Sequence, residues 1–399
     1  MTRSVLLIGG AHLHLLAAKS LGMRVAVVQV PGEFPAAYQR LSDRTLLTDY
    51  ADPVDLARRV LPIVRAWHWA EPFSQAISFT DPGLLPAALV REELGLGGTP
   101  VAATALLRDK AAMRRNLAGS GLATVPFAEV SEVGQVLAFA RRHGYPFILK
   151  PADGVGRANV RTVRSDAEAR AALAGIRTAG HPAALAETLI AGPEFTVEAI
   201  SAGGLHRVVC VTESLVTAGR RAAGHVTPAR ITEADAMAIA RHVEDFLDVV
   251  GIVDGPSHTQ VILTGDQGPV VVESHDRIGA DPLHDLVRFS YRHDLPALAF
   301  AVPAGLAPLP EPLRWTRRPG TAVCYLRGAG ARLTSIAGVE EARSSPGVVR
   351  FSMANEESLI GEHLTPDERP AFAVAVGVDA DTALARAKAA LDTLRLEYE

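Results

Sequence analysis

Short apolar segments alternate with helical patterns over the first hundred residues, and this alternation restricts the fold more than any other feature of the chain. The segments SVLLIGG, RVAVVQV and QAISFT are typical of strands, and helical patterns at 12–21 and 52–67 separate them. Strands that alternate with helices form a parallel sheet with helices on its faces. The sequence predicts a doubly wound parallel-sheet domain at 1–100. The Gly9-Gly10 turn after its first strand is either a ligand contact or a simple tight turn.

Length and composition limit the remaining possibilities. A chain of 399 residues has room for two to four domains at roughly 100 to 200 residues each. No apolar run approaches the ~18 to 20 residues of a membrane span, and glycines and histidines interrupt the N-terminal apolar run. The two cysteines, Cys210 and Cys324, do not form a disulfide framework, and the net charge of −4 comes without a long basic run. We therefore expect a cytoplasmic protein that binds neither nucleic acid nor membrane.

Three further units follow the first. Strand and helix patterns predict two α/β subdomains at 101–190 and 191–302, and the proline-rich stretch 302–320 reads as a linker. The segments GTAVCYLRG and AFAVAVGVDADTALARAKAALDTLRLEYE predict a small α+β domain at 320–399.

The segment VVVESHDRIG, at 270–279, joins an apolar strand to a cluster of charge. Alternation along a strand places Glu273, His275 and Arg277 on one face. The preceding segment forms a hairpin, and if Thr264 pairs with Pro269 then His258 lies opposite His275 and Gln260 opposite Glu273. A carboxylate and an amide oxygen close together suit magnesium shared with substrate phosphates. The alternative is an exposed edge strand whose charges prevent aggregation.

Lysine is scarce in this chain, which makes each lysine informative. Of 40 basic residues only Lys19, Lys110, Lys150 and Lys388 are lysines. A compact ammonium differs from a planar guanidinium, so these positions are ones where arginine is a poor substitute. Lys150 ends the strand YPFILKP and precedes a glycine-bearing loop whose backbone N–H groups suit phosphate oxygens. The alternative for the loop after Lys150 is a plain hairpin turn. The alternative for Lys110 is a solvent-exposed lysine at the start of a helix.

Four segments, in this order, resemble the ATP-grasp superfamily, and in particular the carboxylate-amine ligases of the L-amino acid ligase type. They are RDKAAMRRNLAGSG, GYPFILKPADGVG, ALAETLIAGPEFTVEAI and HTQVILTGDQGPVVVESHDRIG. The resemblance implies an ATP-grasp fold flanked by a pre-ATP-grasp domain and a small C-terminal lid domain.

The resemblance also implies a nucleotide site. Its lysines would contact phosphates, its glycine loop would close over the transferred phosphoryl group, the backbone of 187–190 would hold adenine, and Glu194 would hold the ribose. The implied residues are Lys110, Lys150, Asp153, Gly154, Gly156, Glu187, Ile190 and Glu194.

The implied magnesium positions are Gln260, Glu273 and His275, with Mn²⁺ as a substitute ion. Arg277, together with Lys150, would steady the γ-phosphate and the acyl phosphate. The family usually has an acidic residue at the position of Gln260 and asparagine at that of His275, so one acidic ligand remains of two. Candidate substrate residues are Arg220, Arg221, His225, His258 and Asp281. Each could instead be an exposed loop residue or a packed histidine.

The expected function is an ATP-dependent ligase that activates a small carboxylate as an acyl phosphate and joins it to an amine. Two other hypotheses stay open. One is a catalytically impaired ATP-binding regulatory module, because Gln260 replaces an acid. The other is a zinc hydrolase with His258, Glu273 and His275 as ligands. No sequence pattern identifies the acid or the amine. The oligomeric state stays open, with a homodimer as one option.

Overall fold

The computed structural model describes residues 3–152, 160–217, 222–280, 282–315 and 318–399. Its N-terminal unit is a four-stranded parallel sheet in the order β3-β2-β1-β4. All five residues of β1 are buried, which explains its uninterrupted apolar sequence. The elements are β1 (Ser4–Ile8), α1 (His12–Ser20), β2 (Arg24–Gln29), α2 (Ala36–Gln39), β3 (Arg44–Leu47), α3 (Pro53–Asp55), a π-helical turn (Leu56–Val60), α4 (Leu61–Ala70), β4 (Phe73–Ile77) and α5 (Asp81–Leu94).

The Gly9-Gly10 turn is explained by close packing. Gly9 has a φ of +69°, and a Cβ built there would lie 2.5 Å from Thr80 Oγ1 and 2.6 Å from Tyr50 Oη. Only glycine fits such a position. Its contact with a ligand stays a prediction.

The second unit is an antiparallel sheet in the order β5-β8-β6-β7, with α8 and α9 packed in its core. Two helices precede the sheet and connect it to the N-terminal unit. The elements are α6 (Val101–Arg108), α7 (Lys110–Ala118), β5 (Phe127–Val130), α8 (Val133–His143), β6 (Phe147–Pro151), β7 (Arg161–Val163), α9 (Asp166–Thr178) and β8 (Ala184–Thr188).

The third unit begins an eight-stranded sheet in the order β13-β12-β9-β10-β11-β14-β18-β16. Thr232 caps α10 by accepting from the backbone N–H of Asp235, and Gly251 ends the helix in a left-handed conformation. The elements up to residue 301 are β9 (Glu194–Ala202), β10 (Leu205–Val216), β11 (Ala222–Thr227), α10 (Glu233–Val250), β12 (Gly255–Thr264), β13 (Gly268–His275), α11 (Leu283–Tyr291) and α12 (Leu295–Ala301).

The C-terminal segment continues this large sheet. Strand β14 (Gly320–Tyr325) pairs with β11, so the sheet runs on without a break from the third unit into the region predicted as a small α+β domain. A three-stranded sheet in the order β17-β15-β19 completes the region. The further elements are β15 (Ala331–Ala337), α13 (Val339–Ser344), β16 (Val348–Met353), α14 (Glu356–Leu359), β17 (His363–Leu364), β18 (Ala371–Gly377), α15 (Ala380–Asp392) and β19 (Arg395–Tyr398). The four domain boundaries themselves stay predictions.

The hairpin β12–β13 has the predicted pairs at its functional end but not at its turn. His258 pairs with His275 and Gln260 with Glu273, whereas Thr264 pairs with Gly268 and not with Pro269. A register shift after Gln260 leaves Val272 as an extra residue, a β-bulge. Because a slip of one residue moves side chains to the opposite face, this bulge determines the face on which Glu273 and His275 lie.

None of the helices in the described part of the chain combines the length and apolar character needed to cross a bilayer.

Candidate functional site

A cavity of about 200 Å³ opens on the eight-stranded sheet, beside the start of α5. Residues from six different strands line it, together with Asp81 of the N-terminal unit and Arg369 of the segment before β18. The predicted site residues in its wall are Glu194, His225, His258, Gln260, Glu273, His275 and Arg277. The hairpin and the order of the strands therefore bring residues from positions 194 to 277 of the sequence to one site.

Glu273 is the predicted metal-binding carboxylate, and cations surround it. Its Oε2 lies 3.8 Å from Lys110 Nζ, and its Oε1 lies 4.0 Å from His275 Nε2. Burial alone would raise the pKa of this carboxyl, but His275, Lys110 and Lys150 together lower the pKa to about 2. Glu273 is therefore ionised at neutral pH.

Asp81, the first residue of α5, holds two residues of the hairpin. Arg277 donates from Nε and Nη2 to the two carboxylate oxygens of Asp81, at 2.7 and 3.0 Å, and His275 Nδ1 lies 3.3 Å from Asp81 Oδ1. Burial would raise the pKa of Asp81, but the bonds from His275 and Arg277 hold it well below its usual range. Burial likewise opposes protonation of His275, but Asp81 and Glu273 raise its pKa above 6.5. The His275 ring thus lies between two carboxylates, with one ring nitrogen towards each.

Lys150 lies in a buried ion cluster that does not line the cavity. Its Nζ donates to Glu187 Oε2 at 2.6 Å, and Arg114 Nε donates to Glu187 Oε1 at 2.7 Å. Burial lowers the pKa of Lys150 although Glu187 opposes the shift. Burial would raise the pKa of Glu187, but Arg114 and Lys150 lower it, so the carboxylate stays ionised. The Glu187 side chain therefore orients Lys150. The adenine contact of the backbone at 187–190 stays a prediction.

Two histidines predicted to contact substrate, His225 and His258, line the cavity. His258 is bonded through Nδ1 to Glu198, whose other oxygen accepts from the backbone N–H of Gly279 at 2.8 Å. With Nδ1 donating to Glu198, Nε2 is the nitrogen that remains for a ligand. His225 Nδ1 lies 3.3 Å from Ser214 Oγ, and its ring meets Tyr325 edge-on at 6.0 Å.

Six of the predicted residues lie outside the described residues, namely Asp153, Gly154, Gly156, Arg220, Arg221 and Asp281.

Sequence reasoning missed several residues of the site, among them Asp81, Arg114 and Glu198. Asp81 follows a parallel strand, and the carboxyl ends of parallel strands are where ligands bind, so this rule could have identified it. Arg114 and Glu198 carry no such signal, because each looks like an ordinary helix or strand residue until its partner is known.

The oxygen donors in the cavity fit a magnesium ion that is shared with phosphates. Glu273 gives one ionised oxygen, and Gln260 an amide oxygen opposite it on β12. The Thr196 hydroxyl, on the β9 residue that pairs with Gln260, is buried without a hydrogen-bond partner among the described residues. Hard oxygen ligands with few carboxylates are typical of magnesium bound together with a nucleotide. The fit of His275 is poorer, because its two ring nitrogens already face carboxylates, at 3.3 Å from Asp81 and 4.0 Å from Glu273.

Three family descriptions match successive parts of the chain. The ATP-grasp N-terminal domain matches residues 15–98, the ATP-grasp domain matches 143–282, and the L-amino acid ligase C-terminal domain 2 matches 325–399.

Two curated proteins are similar to more than half of the chain. An L-arginine-specific L-amino acid ligase of Bacillus subtilis is 23% identical over 231 residues, which are 56% of this chain and 56% of that protein. An uncharacterised protein of Sinorhizobium fredii is 26% identical over 60% of this chain and 50% of its own length. The aligned region thus spans about half the length of the curated relatives.

A solved structure has the same fold over the whole chain. The L-amino acid ligase of Bacillus licheniformis superimposes with a TM-score of 0.81 at 22% identity, covering 100% of this chain and 99% of that one. The order of matched domains and this fold agree with each other. The chain belongs to the ATP-grasp superfamily, with an ATP-grasp N-terminal domain, an ATP-grasp domain and a C-terminal domain of the L-amino acid ligase type.

Proposed function

We propose that this chain is an ATP-dependent ligase that activates a small carboxylate, that of an amino acid, as an acyl phosphate and joins it to an amine. The observation that carries the proposal is the meeting of ionised Glu273 with the Arg277–Asp81 pair in one cavity of an ATP-grasp fold. A carboxylate and ATP are both anions, so a site that joins them must neutralise charge and fix positions.

The reaction has two steps. A carboxylate oxygen attacks the γ-phosphorus of ATP, the bond to the bridging oxygen breaks, and ADP leaves. The amine nitrogen then attacks the acyl carbon, phosphate leaves, and the nitrogen loses a proton. The acyl phosphate is prone to hydrolysis, so exclusion of water from the cavity protects it.

Arg277 would bind and position the transferred phosphoryl group. Its guanidinium has five N–H groups, of which three donate to Asp81 and to the carbonyl oxygen of Ile278. Two N–H groups remain for phosphate oxygens. Asp81 accepts hydrogen bonds from both Nε and Nη2, so the plane of the guanidinium is fixed before the nucleotide binds. The Arg277 side chain therefore loses little conformational entropy when the transition state forms.

Magnesium, when bound, neutralises charge on the phosphate oxygens. We propose that Glu273 and Gln260 hold it, with the His275 ring beside them. Lys110 and Lys150 would contact the nucleotide phosphates, and Glu194 the ribose.

The test is an assay of the purified protein with ATP, magnesium and a panel of acid and amine pairs. ADP and phosphate should form in equal amounts, and only when both the acid and the amine are present. Release of AMP in place of ADP would contradict the acyl-phosphate mechanism.

The second candidate is an impaired ATP-binding module, favoured by one observation. Glu273 is the single carboxylate among the predicted metal positions, because Gln260 is neutral. Gln260→Glu restores a second acid, and Gln267→Glu, at an exposed turn of the same hairpin, is its matched control. Calorimetry of ADP binding against magnesium concentration should show tighter magnesium binding in Q260E alone. If ADP release appears only in Q260E, the natural chain is the impaired module.

The zinc hydrolase hypothesis gains no support. Among the described residues, no three His, Cys, Asp or Glu side chains are arranged to hold a metal ion. The Nδ1 atom of His258, one of its three required ligands, is bonded to Glu198.

A further inference from the structure

Arg369 differs from the other cations of the cavity wall in its partners. His275 and Arg277 face Asp81, and His258 is bonded to Glu198. In the described part of the chain, Arg369 has no carboxylate partner. Its guanidinium instead lies over the ring of Tyr325, 4.3 Å from the ring centroid. A guanidinium stacked on an aromatic face keeps its N–H groups directed outward in a planar fork, the geometry that matches a carboxylate.

The segment that carries Arg369 is held firmly. Thr365 donates from its backbone N–H and its hydroxyl to Glu368 Oε2, at 2.6 and 2.9 Å. The Glu368 carboxylate is therefore engaged within the segment and is not the partner of Arg369. Arg327 Nη1 donates to the carbonyl oxygen of Pro366 at 3.2 Å, and the backbone N–H of Leu326 donates to Ala371 at 2.9 Å. These hydrogen bonds fix the backbone of the segment 365–371, and Arg369 extends from it into the cavity wall.

The position of Arg369 separates it from the phosphate end of the site. Tyr325 lies on β14 and Glu273 on β13, and four strands lie between them in the sheet. Both residues nevertheless line one cavity, so Arg369 faces that cavity from the side opposite to Glu273. The carboxylate that reacts must lie at the γ-phosphate, near Glu273 and Arg277. A carboxylate bound at Arg369 is therefore one that does not react.

We propose that Arg369, stacked on Tyr325, binds the free carboxylate of the amino acid that supplies the amine. The inference rests on the proposed ligase function and adds a specificity-determining residue to it. One carbon atom separates the α-carboxylate of an amino acid from its nitrogen, so a carboxylate held by Arg369 also positions the attacking nitrogen. The product would be a peptide whose free carboxylate remains at Arg369.

The test compares two amine substrates in two variants. Initial rates of ADP release are measured with an amino acid and with its carboxamide, in which the charge is removed. Arg369→Gln should raise KM for the amino acid about 10- to 100-fold, the range of one lost charge-assisted pair, and leave KM for the carboxamide and for ATP unchanged. Arg343→Gln is the matched control, because Arg343 also stacks on an aromatic ring, that of Phe351, and does not line the cavity.

Three results would overturn the inference: an unchanged KM for the amino acid, an equal rise for both amines, or a rise in KM for ATP, which would assign Arg369 to the nucleotide. If the wild-type protein releases no ADP with any pair, the proposed function fails by itself. Calorimetry then compares the affinity of the wild type and of R369Q for the amino acid. Equal affinities would contradict the role of Arg369 in binding its carboxylate.

Discussion

Arg114 is the residue whose replacement tests the architecture of the site most directly. It is 0% exposed and makes three hydrogen bonds: to Glu187 Oε1 at 2.7 Å and to the carbonyl oxygens of Val271 and Val272 at 3.0 and 2.9 Å. The two carbonyls belong to the β-bulge that aims Glu273 into the cavity. Arg114 therefore joins the helix α7, the buried Lys150–Glu187 pair and the predicted metal strand at one point.

Arg114→Met removes the charge, keeps a long apolar side chain and has a similar helix propensity. Removing one partner of a buried ion pair costs about 3 to 5 kcal/mol, and each carbonyl left without a donor adds to this cost. We expect a loss of about 4 kcal/mol in the free energy of unfolding. Arg114→Lys keeps the charge but loses the planar fork, and its loss should be smaller.

Urea denaturation followed by far-UV circular dichroism measures this effect. The matched control is Arg115→Met on the same helix, where the side chain is 52% exposed and pairs with Glu129. An exposed ion pair contributes about 0 to 1 kcal/mol, so R115M should unfold close to the wild type. If R114M and R115M lose the same stability, the buried cluster does not hold the bulge and the reasoning is refuted.

Two further predictions concern the N-terminal unit. His14 is buried against Phe79, and burial, together with His284, lowers its pKa from 6.5 to about 3. Because the unfolded chain binds this proton first, stability is complete above pH 6.5 and falls with acidification by about 1.4 kcal/mol per pH unit from this group. Urea midpoints between pH 7 and pH 4 should therefore slope less steeply in His14→Gln than in the wild type, and equal slopes would contradict the assignment. Asp81→Asn should free Arg277 and lower kcat for ADP release by at least about tenfold, since a positioned cation contributes this much or more. An unchanged kcat would exclude Asp81 as its positioning residue.

The sequence and the structure agree where the physics is local. Period-two alternation and the hairpin are properties of adjacent residues, so the pairs His258–His275 and Gln260–Glu273 could be predicted. The turn pair was wrong by one residue because the turn is one residue shorter than predicted, and the bulge was missed because it has no signal in three consecutive valines. Two errors of one residue, at the turn and at the bulge, cancel, and the predicted face of Glu273 is therefore correct.

Tertiary structure alone decided which distant groups meet. Asp81 and Arg277 are 196 positions apart, and no spacing rule connects them. The partners of Glu187 are equally remote, since Arg114 comes from a helix that precedes it by 73 residues. Whether a carboxylate binds a metal, holds a lysine or fixes an arginine depends on burial and on neighbouring charge, and both arise only when separate elements pack. The sequence by itself thus determined the elements, the fold and the chemical types at the site, whereas packing decided what each charged group is bonded to.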